Sequence, residues 1–474
     1  MFTLFTTCKP FEGLAAIHQR NAIRSWLALT PRPEIIIVGD DPGTAELCQE
    51  YGVIHIPGVA LTPHGKPDVA DVFRLACAAA SHDVLAYVNA DICLFDDFAQ
   101  ALTTLRWRLG RFMMCGQRHN LDVTAPVEDW DTLRADARAA GDLLVATGTD
   151  YFAFTRGMMG GLSDGLGVGH LAWDNYLPWY AVTHDHAAFV DATQSILCVH
   201  QNHDAPNFDG HPGATQNHGL VRSQDPTNPG SYCGLFLKDV SHVLTPAGLC
   251  PKVSIVLPSY KRPERLETAV KGILDNTDYA PFEVLVVIDE DTDSRDRIEA
   301  LGDARVQVLF NEQRRGAIAC WNQGLAASRG VILAFWNDDC LPEPGWLDAA
   351  LKDHREQLAG YGLLGFNDGY QDGNVLAVQY LFDRQFCIDH LGGVMAYDCF
   401  QFAFNDTLAN DLAKKAGRFY WSEDAVVQHQ HWSRDGGQMD ALNRENMDMQ
   451  GHDGHIYDRI KAAGFVVDVE AVIS

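Results

Sequence analysis

Two short acidic motifs offer this chain its chemistry. At Gly330–Cys340 the sequence runs Gly-Val-Ile-Leu-Ala-Phe-Trp-Asn-Asp-Asp-Cys, an apolar run of strand length that stops at Asn337, Asp338 and Asp339. In open α/β sheets ligands bind beyond the carboxyl ends of the strands, and neighbouring carboxylates there are costly unless a cation or hydrogen bonds offset them. Oxygen donors in that place suit Mg²⁺ or Mn²⁺, and a metal there can hold a diphosphate. The competing reading is a solvated turn capped by Asp, because short acidic turns are common. Asp83–Leu94 repeats the pattern, with Asn89 and Asp91 closing a second apolar run.

Other residues of the right type follow in each half. Asp174, in Trp173–Tyr180, stands at a helix start and can be a cap or a general base. His200 and His203 follow a strand-like run and can ligate metal, bond a substrate or be ordinary loop residues. Asp406, in Phe404–Phe419, mirrors Asp174, while His429 and His431 mirror the first histidine pair. Asp40 and Asp41 end one strand-like run, and Asp289 and Asp291 end another. Neither a strained Ser elbow nor a Cys–His arrangement is present to supply a covalent nucleophile.

The elements that must position these groups read as α/β. Phe2–Thr7, a helical pattern around Ile17–Leu27, and Glu34–Val38 make a βαβ start. Val253–Tyr260, a helix to Asn276, Phe282–Ile288, Val306–Phe310 and a helix at Ala317–Ser328 make another. The distance from first strand to acidic motif is about 85 residues in both halves, and five landmarks recur in one order, so two copies of one domain are predicted. The expected layout is a first domain at 1–228, a linker at 229–250 and a second domain at 251–474. Residues 203–228, rich in Asn, Gly, Pro and His, read as an irregular, lid-like loop.

Composition narrows the partners. A chain of 474 residues is too long for one ordinary core, and its net charge of -27 comes without a basic run, so nucleic acid is not expected. Twelve cysteines without a Cys-x-x-Cys pair point to reduced thiols. No apolar run reaches membrane-span length and no signal-peptide core opens the chain, so the expectation is a cytoplasmic protein, with peripheral membrane association compatible.

On Val253–Tyr260, Val284–Asp293, Asn311–Gly316, Asn322–Gly330, Asn337-Asp338-Asp339, Asn405-Asp406 and Val427-Gln-His429, residues 252–432 resemble the family-2 glycosyltransferases of the GT-A fold. The first half looks like a divergent member of that fold. The resemblance implies two tandem Rossmann-like domains and sugar transfer from a nucleotide-diphosphate donor to a glycan or other hydroxyl acceptor. It further implies inversion and a divalent cofactor, Mn²⁺ or Mg²⁺. Pro258, Tyr260 and Arg262 would line the nucleotide pocket, and Asp289 or Asp291 would accept a bond from the base. Asn337, standing where the family has its first acid, would touch the ribose beside Asp338. Asp339 would bind metal with His429, or with His431 as second choice, and Asp406 would be the base. The first-half set is Asp40 or Asp41, Asn89, Asp91, Asp174 and His200, with His203 as alternative.

The layout is similar to that of bifunctional glycosaminoglycan-type polymerases. An inactive, acceptor-binding first domain and a non-catalytic nucleotide-sugar or carbohydrate-binding protein are the alternatives. A nucleotidyl transferase would want a Gly-rich basic loop, of which Ser259–Arg262 is only a weak version. Trp336, Trp346 and Trp421 read as packing, and Trp321 or Trp432 as possible sugar platforms. His452 and His455 read as surface or loop residues. Loops such as Gly362–Gln385 are expected to line the donor and acceptor pockets.

Overall fold

The computed structural model describes residues 1–145, 148–203, 211–225, 230–370, 376–431 and 439–465, and divides between Cys250 and Pro251 into two units. Trp432 lies outside the described residues.

The first unit contains β1 (Thr3–Thr6), β2 (Glu34–Val38), β3 (Ile54–Ile56), β4 (Val84–Val88), β5 (Ile92–Cys93), β6 (Phe112–Cys115), β7 (His119–Leu121), β8 (Asp142–Leu143), β9 (Tyr151–Thr155), β10 (Ala188–Asp191), β11 (Val199–Gln201), β12 (His242–Thr245) and β13 (Gly248–Pro251). Nine of them form one sheet in the order β13-β12-β10-β6-β9-β4-β1-β2-β3, and β5-β11-β7-β8 form a second. The second unit contains β14 (Val253–Ser259), β15 (Phe282–Asp289), β16 (Val306–Asn311), β17 (Ile332–Phe335), β18 (Cys340–Pro342), β19 (Leu363–Asn367), β20 (Tyr380–Asp383) and β21 (Phe419–His429). These form one sheet in the order β16-β15-β14-β17-β20-β19-β21-β18.

Both main sheets are covered on both faces, which is why their central strands are continuously apolar. Leu4, Ile35 and Ile37 enter one core cluster while Phe5, Ile36 and Val38 enter another, and in the second unit Ile255 and Leu257 part from Val256 in the same way.

The seven-strand order β10-β6-β9-β4-β1-β2-β3 is matched by β21-β19-β20-β17-β14-β15-β16. Each run has one strand, β9 or β20, antiparallel to both neighbours. Thr3 lies opposite Glu34 and Leu85, and Ser254 lies opposite Glu283 and Leu333. The same side-chain bonds fix both registers. Thr3 donates to Glu34 at 2.7 Å and Ser254 to Glu283 at 2.6 Å, while the Ser81 and Arg329 amides each donate to the respective glutamate at 2.8 Å. Counting along the strands from these pairs sets Asp40 at the place of Asp289 and Asp91 at the place of Asp339.

The elements depart from the sequence reading mainly in the connections. Within the expected linker 229–250, β12 and the start of β13 extend the first sheet. The expected lid-like loop contains the helix Pro212–Arg222, whose Gly213 sits so close to His170 that an added Cβ would lie 2.1 Å from its Nε2. His452 and His455 are exposed, as expected of surface residues, and lie on a 22-residue helix, Ala441–Ala462. The expected loop Gly362–Gln385 includes β19, β20 and the start of a helix at Arg384–His390, and its residues 371–375 lie outside the described residues.

Candidate functional site

In the second unit, β17 delivers the motif and β21 comes back to meet it, so that His429 stands opposite Cys340 in the β18–β21 ladder. The His429 Nε2 is 3.3 Å from Asp339 Oδ1, and both side chains are about nine-tenths buried. Burial works against the Asp339 charge, but the His429 bond and the Arg262 and Arg265 charges outweigh it and hold the carboxyl below its ordinary range. Asp339, Cys340 and His429 each bring a ligand atom within 4.8 Å of the other two. Burial, then the Asp339 carboxylate, push the Cys340 thiol well up, so it stays protonated, and a hard cation prefers the oxygen and nitrogen donors.

The neighbouring groups are cationic. Asp338 accepts from Ser259 at 2.8 Å and from Arg262 at 3.1 Å. Arg265 Nη1 is buried, 3.8 Å from Asp339 Oδ2, without a hydrogen-bond partner. A cavity of about 240 Å³ opens here, lined by Asp338, Asp339, Arg265, Glu264, Thr268 and Gln430. A guanidinium with hydrogen-bonding capacity to spare beside a carboxylate–imidazole pair suits a cation and the anion it carries.

Other expected pocket residues have definite partners. Tyr260 lies under Arg314, 4.3 Å from its ring, with Lys261 Nζ at 4.7 Å. Pro258 and Asn337 are half-buried. The expectation that Asp289 or Asp291 receives the base meets a different use of both carboxylates. Asp289 takes bonds from Asn311 Nδ2 (2.9 Å) and from the Arg315 and Gly316 amides (2.8 Å each), and so shapes the loop after β16. Asp291 caps the helix Thr292–Glu299 through Ser294. Trp321 is buried, donates to the Trp336 carbonyl and stacks on Phe335 at 4.3 Å, so it is core and not a sugar platform.

Asp406 is the second residue of the helix Asn405–Lys415. Burial raises its carboxyl above the ordinary range against the Thr407 amide bond at 2.7 Å, and His429 is among the charges acting on it. The residue before this helix, Phe404, has φ +64°, a left-handed conformation that costs a non-glycine residue roughly 1–2 kcal/mol.

The first unit repeats this geometry with different neighbours. Asp174 is likewise the second residue of a helix, Trp173–Thr183, and Ala172 before it has φ +82°. Backbone strain recurring just ahead of each acid marks both places as functional candidates. Burial, then the Asp150 carboxylate, push Asp174 up to about 7. Asp150 is itself paired with Arg118 at 2.5 Å and with Asn89 Nδ2 at 2.7 Å. The Asn89 amide is therefore engaged by Asp150.

Asp91 Oδ2 lies 3.1 Å from His203 and 3.9 Å from His200, and the three residues form the other cluster with ligand atoms within 4.8 Å. His203, expected only as an alternative, is the nearer of the two. Burial opposes the Asp91 charge, and His203, His200 and Lys9 together hold it well below the usual range. Burial lowers the proton affinity of His200, favouring the neutral form that binds metal, and its Nδ1 and Asp91 Oδ1 are buried without hydrogen-bond partners. Asp40 is two-thirds exposed and 3.9 Å from His55, and burial raises Asp41 despite Lys66.

Sequence reasoning missed Arg265, Arg118 and Asp150. Arg265 was legible as the second arginine of Lys261-Arg-Pro-Glu-Arg; the other two come from strand ends whose register the sequence does not reveal.

Residues 254–402 match the profile described as glycosyl transferase family 2. The match ends before Asp406 and His429. Among curated proteins, the chain is 28% identical over 138 residues to the Haloferax volcanii glycosyltransferase AglE, covering 27% of this chain and 44% of that protein. It is 29% identical over 129 residues to the putative teichuronic acid biosynthesis glycosyltransferase TuaG of Bacillus subtilis, covering 27% and 51%. Over 88 residues it is 33% identical to the UDP-Glc:alpha-D-GlcNAc-diphosphoundecaprenol beta-1,3-glucosyltransferase WfgD of Escherichia coli, covering 18% and 34%. The matched stretches span about half or less of each relative. A mannosyltransferase from Pyrobaculum calidifontis, solved with GDP-Man and Mn²⁺, aligns at 19% identity and TM-score 0.33 over 39% of this chain and 58% of that one. Among the described residues no helix is long and apolar enough to cross a membrane. Residues 254–402, which hold the Asn337–Asp339 motif, belong to glycosyl transferase family 2, and the chain thus carries a family-2 glycosyltransferase domain in its second unit.

Proposed function

We propose that the protein is a metal-dependent, inverting glycosyltransferase that moves a sugar from a nucleotide-diphosphate donor to an acceptor hydroxyl, with one site in each unit. The observation that carries this reading is the buried Asp339–His429 pair at 3.3 Å beside Arg265, whose Nη1 is buried without a hydrogen-bond partner. Asp339 and His429 hold Mn²⁺ or Mg²⁺, with Asp91, His200 and His203 as the corresponding set. A divalent cation bound there supplies the positive charge against which a diphosphate can leave. Arg265 and Arg262 bind and orient that diphosphate, and the cleft walls exclude water from it.

Asp406 takes the proton of the acceptor hydroxyl as it attacks. Its raised proton affinity makes it a better base than a solvated carboxylate, and help of this kind is worth about 10² to 10⁴ in rate. A single displacement inverts the anomeric carbon. Asp174 has the same part in the first unit. A second reading, binding without turnover in that unit, is favoured by one difference: Phe11 and Glu12 precede the helix Gly13–Leu27, where Lys261 and Arg262 precede the helix Pro263–Asn276.

The test is a panel of UDP- and GDP-sugars with Mn²⁺, read by nucleotide-diphosphate release, starting from UDP-glucose because the Escherichia coli relative is named for that donor. Release that survives Asp339→Ala and Asp91→Ala unchanged overturns the assignment.

A further inference from the structure

The helix Ala441–Ala462 touches both sides of the second site. At its start, Asp440 caps it and accepts from Arg262 at 2.9 and 3.0 Å, while Asn443 Oδ1 accepts from the same guanidinium at 2.9 Å. Arg262 also holds Asp338, and Glu445 pairs at 2.8 Å with Arg314, which covers Tyr260. One end of the helix is therefore built into the donor side.

Three turns further on, Asp453 has no exposed surface and points away from solvent into the loop ahead of Asp406. It accepts from three consecutive backbone amides, Gln401 at 2.9 Å and Phe402 and Ala403 at 2.8 Å each, with His452 Nδ1 at 3.1 Å. The next residue is Phe404, held at φ +64° with its ring stacked on Tyr457 of the same helix at 5.1 Å. Then come Asn405 and Asp406. A buried carboxylate receiving three charge-assisted bonds is a stiff anchor, and the strained turn it supports sets the direction in which the Asp406 helix begins.

We propose that Asp453 is a positioning residue for Asp406, and that through it the helix ties the donor pocket to the placement of the base. The first unit has a parallel device. Asn217, in the helix Pro212–Arg222, is buried and brackets Gly167 in the loop ahead of Ala172 and Asp174, bonding its amide at 2.9 Å and its carbonyl at 3.1 Å. The proposal rests on the reading of Asp406 as base. It predicts that loosening Asp453 costs turnover and leaves the donor pocket intact, because a small displacement of a reacting group costs far more rate than affinity.

The experiment compares Asp453→Asn with the wild-type full chain, using Mn²⁺ and the sugar nucleotide that the wild type turns over. The expected result is a kcat at least tenfold lower with donor KM within twofold, and faster hydrogen exchange at Gln401–Phe404. In an Asp406→Asn background the same substitution changes the residual rate by less than twofold, because the two residues act as one unit. An equal loss in both backgrounds, or an unchanged kcat, overturns the proposal. Should the variant not fold, exchange in the wild type decides: amides of Gln401, Phe402 and Ala403 that exchange as fast as an open loop also overturn it. Failure of the underlying reading looks different, since wild type and Asp406→Asn would then release nucleotide diphosphate equally.

Discussion

The two units share their frame and differ in what lines it. Strand order, register and the Thr3–Glu34 and Ser254–Glu283 bonds coincide, and they bring Asp91 and Asp339 to one place, as they do His200 and His429. The helices that begin with Asp174 and Asp406 in their first turns are each preceded by a residue in the left-handed region, Ala172 and Phe404. The surroundings diverge: Arg262 and Ser259 support Asp338 in the second unit, whereas in the first Asp150 draws in Asn89 and Arg118 beside Asp174. Sheet topology thus dictates where carboxylates emerge, while the loops that would read a nucleotide or acceptor are separately built.

The sharpest way to break this symmetry is to remove the bases one at a time. Asp406→Asn should lower the second unit's transfer by about 10² to 10⁴, and Asp174→Asn should do the same to the first, each measured with the donor its unit accepts. If Asp174→Asn changes no transfer at all, the first unit only binds. A smaller effect separates the metal clusters. His429→Ala should weaken Mn²⁺ binding at the second site by roughly 10-fold or more, while His200→Ala and His203→Ala should each cost less, because Asp91 keeps one imidazole. Titration of single-unit variants with Mn²⁺ checks this ordering.

The acids should also part in their pH behaviour. With Asp174 pushed up to about 7, the first unit's kcat should be half its plateau near pH 7 and fall about tenfold for each unit below. The sign for stability is opposite. A carboxyl whose proton affinity is raised by folding contributes stability that is fully present below its unfolded value and is lost as the pH rises through about 7. Asp174→Asn should accordingly melt above wild type at pH 8 and show little advantage at pH 4, while losing activity at both. The smallest effect belongs to Arg262→Lys, which gives up the fork to Asp440 and should raise donor KM a few-fold in the second unit only.

Much of the frame was legible because it is written in apolar runs. Val84–Val88 and Ile332–Phe335 are short and buried, with Asp91 and Asp338 close behind them, so strand, carboxyl end and candidate site could be read together. His429 was legible from its order after Asp406. What escaped was set by tertiary pairing. The helix Pro212–Arg222 is hidden by its Gly, Asn and His content and is held by contacts such as Asn217 to Gly167. Residues 242–251 carry the Pro and Gly of a connection, yet Val243 and Leu244 are buried where the segment joins a sheet edge. Asp289 and Asp291 have the residue type and spacing of nucleotide contacts, yet local amides and a helix end claim them first.

The most direct test of the account is the number of Mn²⁺ ions held per chain in the presence of a nucleotide diphosphate, counted by the loss of the free-ion resonance signal. Two ions are expected for the wild type, one for Asp339→Ala, one for Asp91→Ala and none for the double variant. An unchanged count in Asp339→Ala would contradict it.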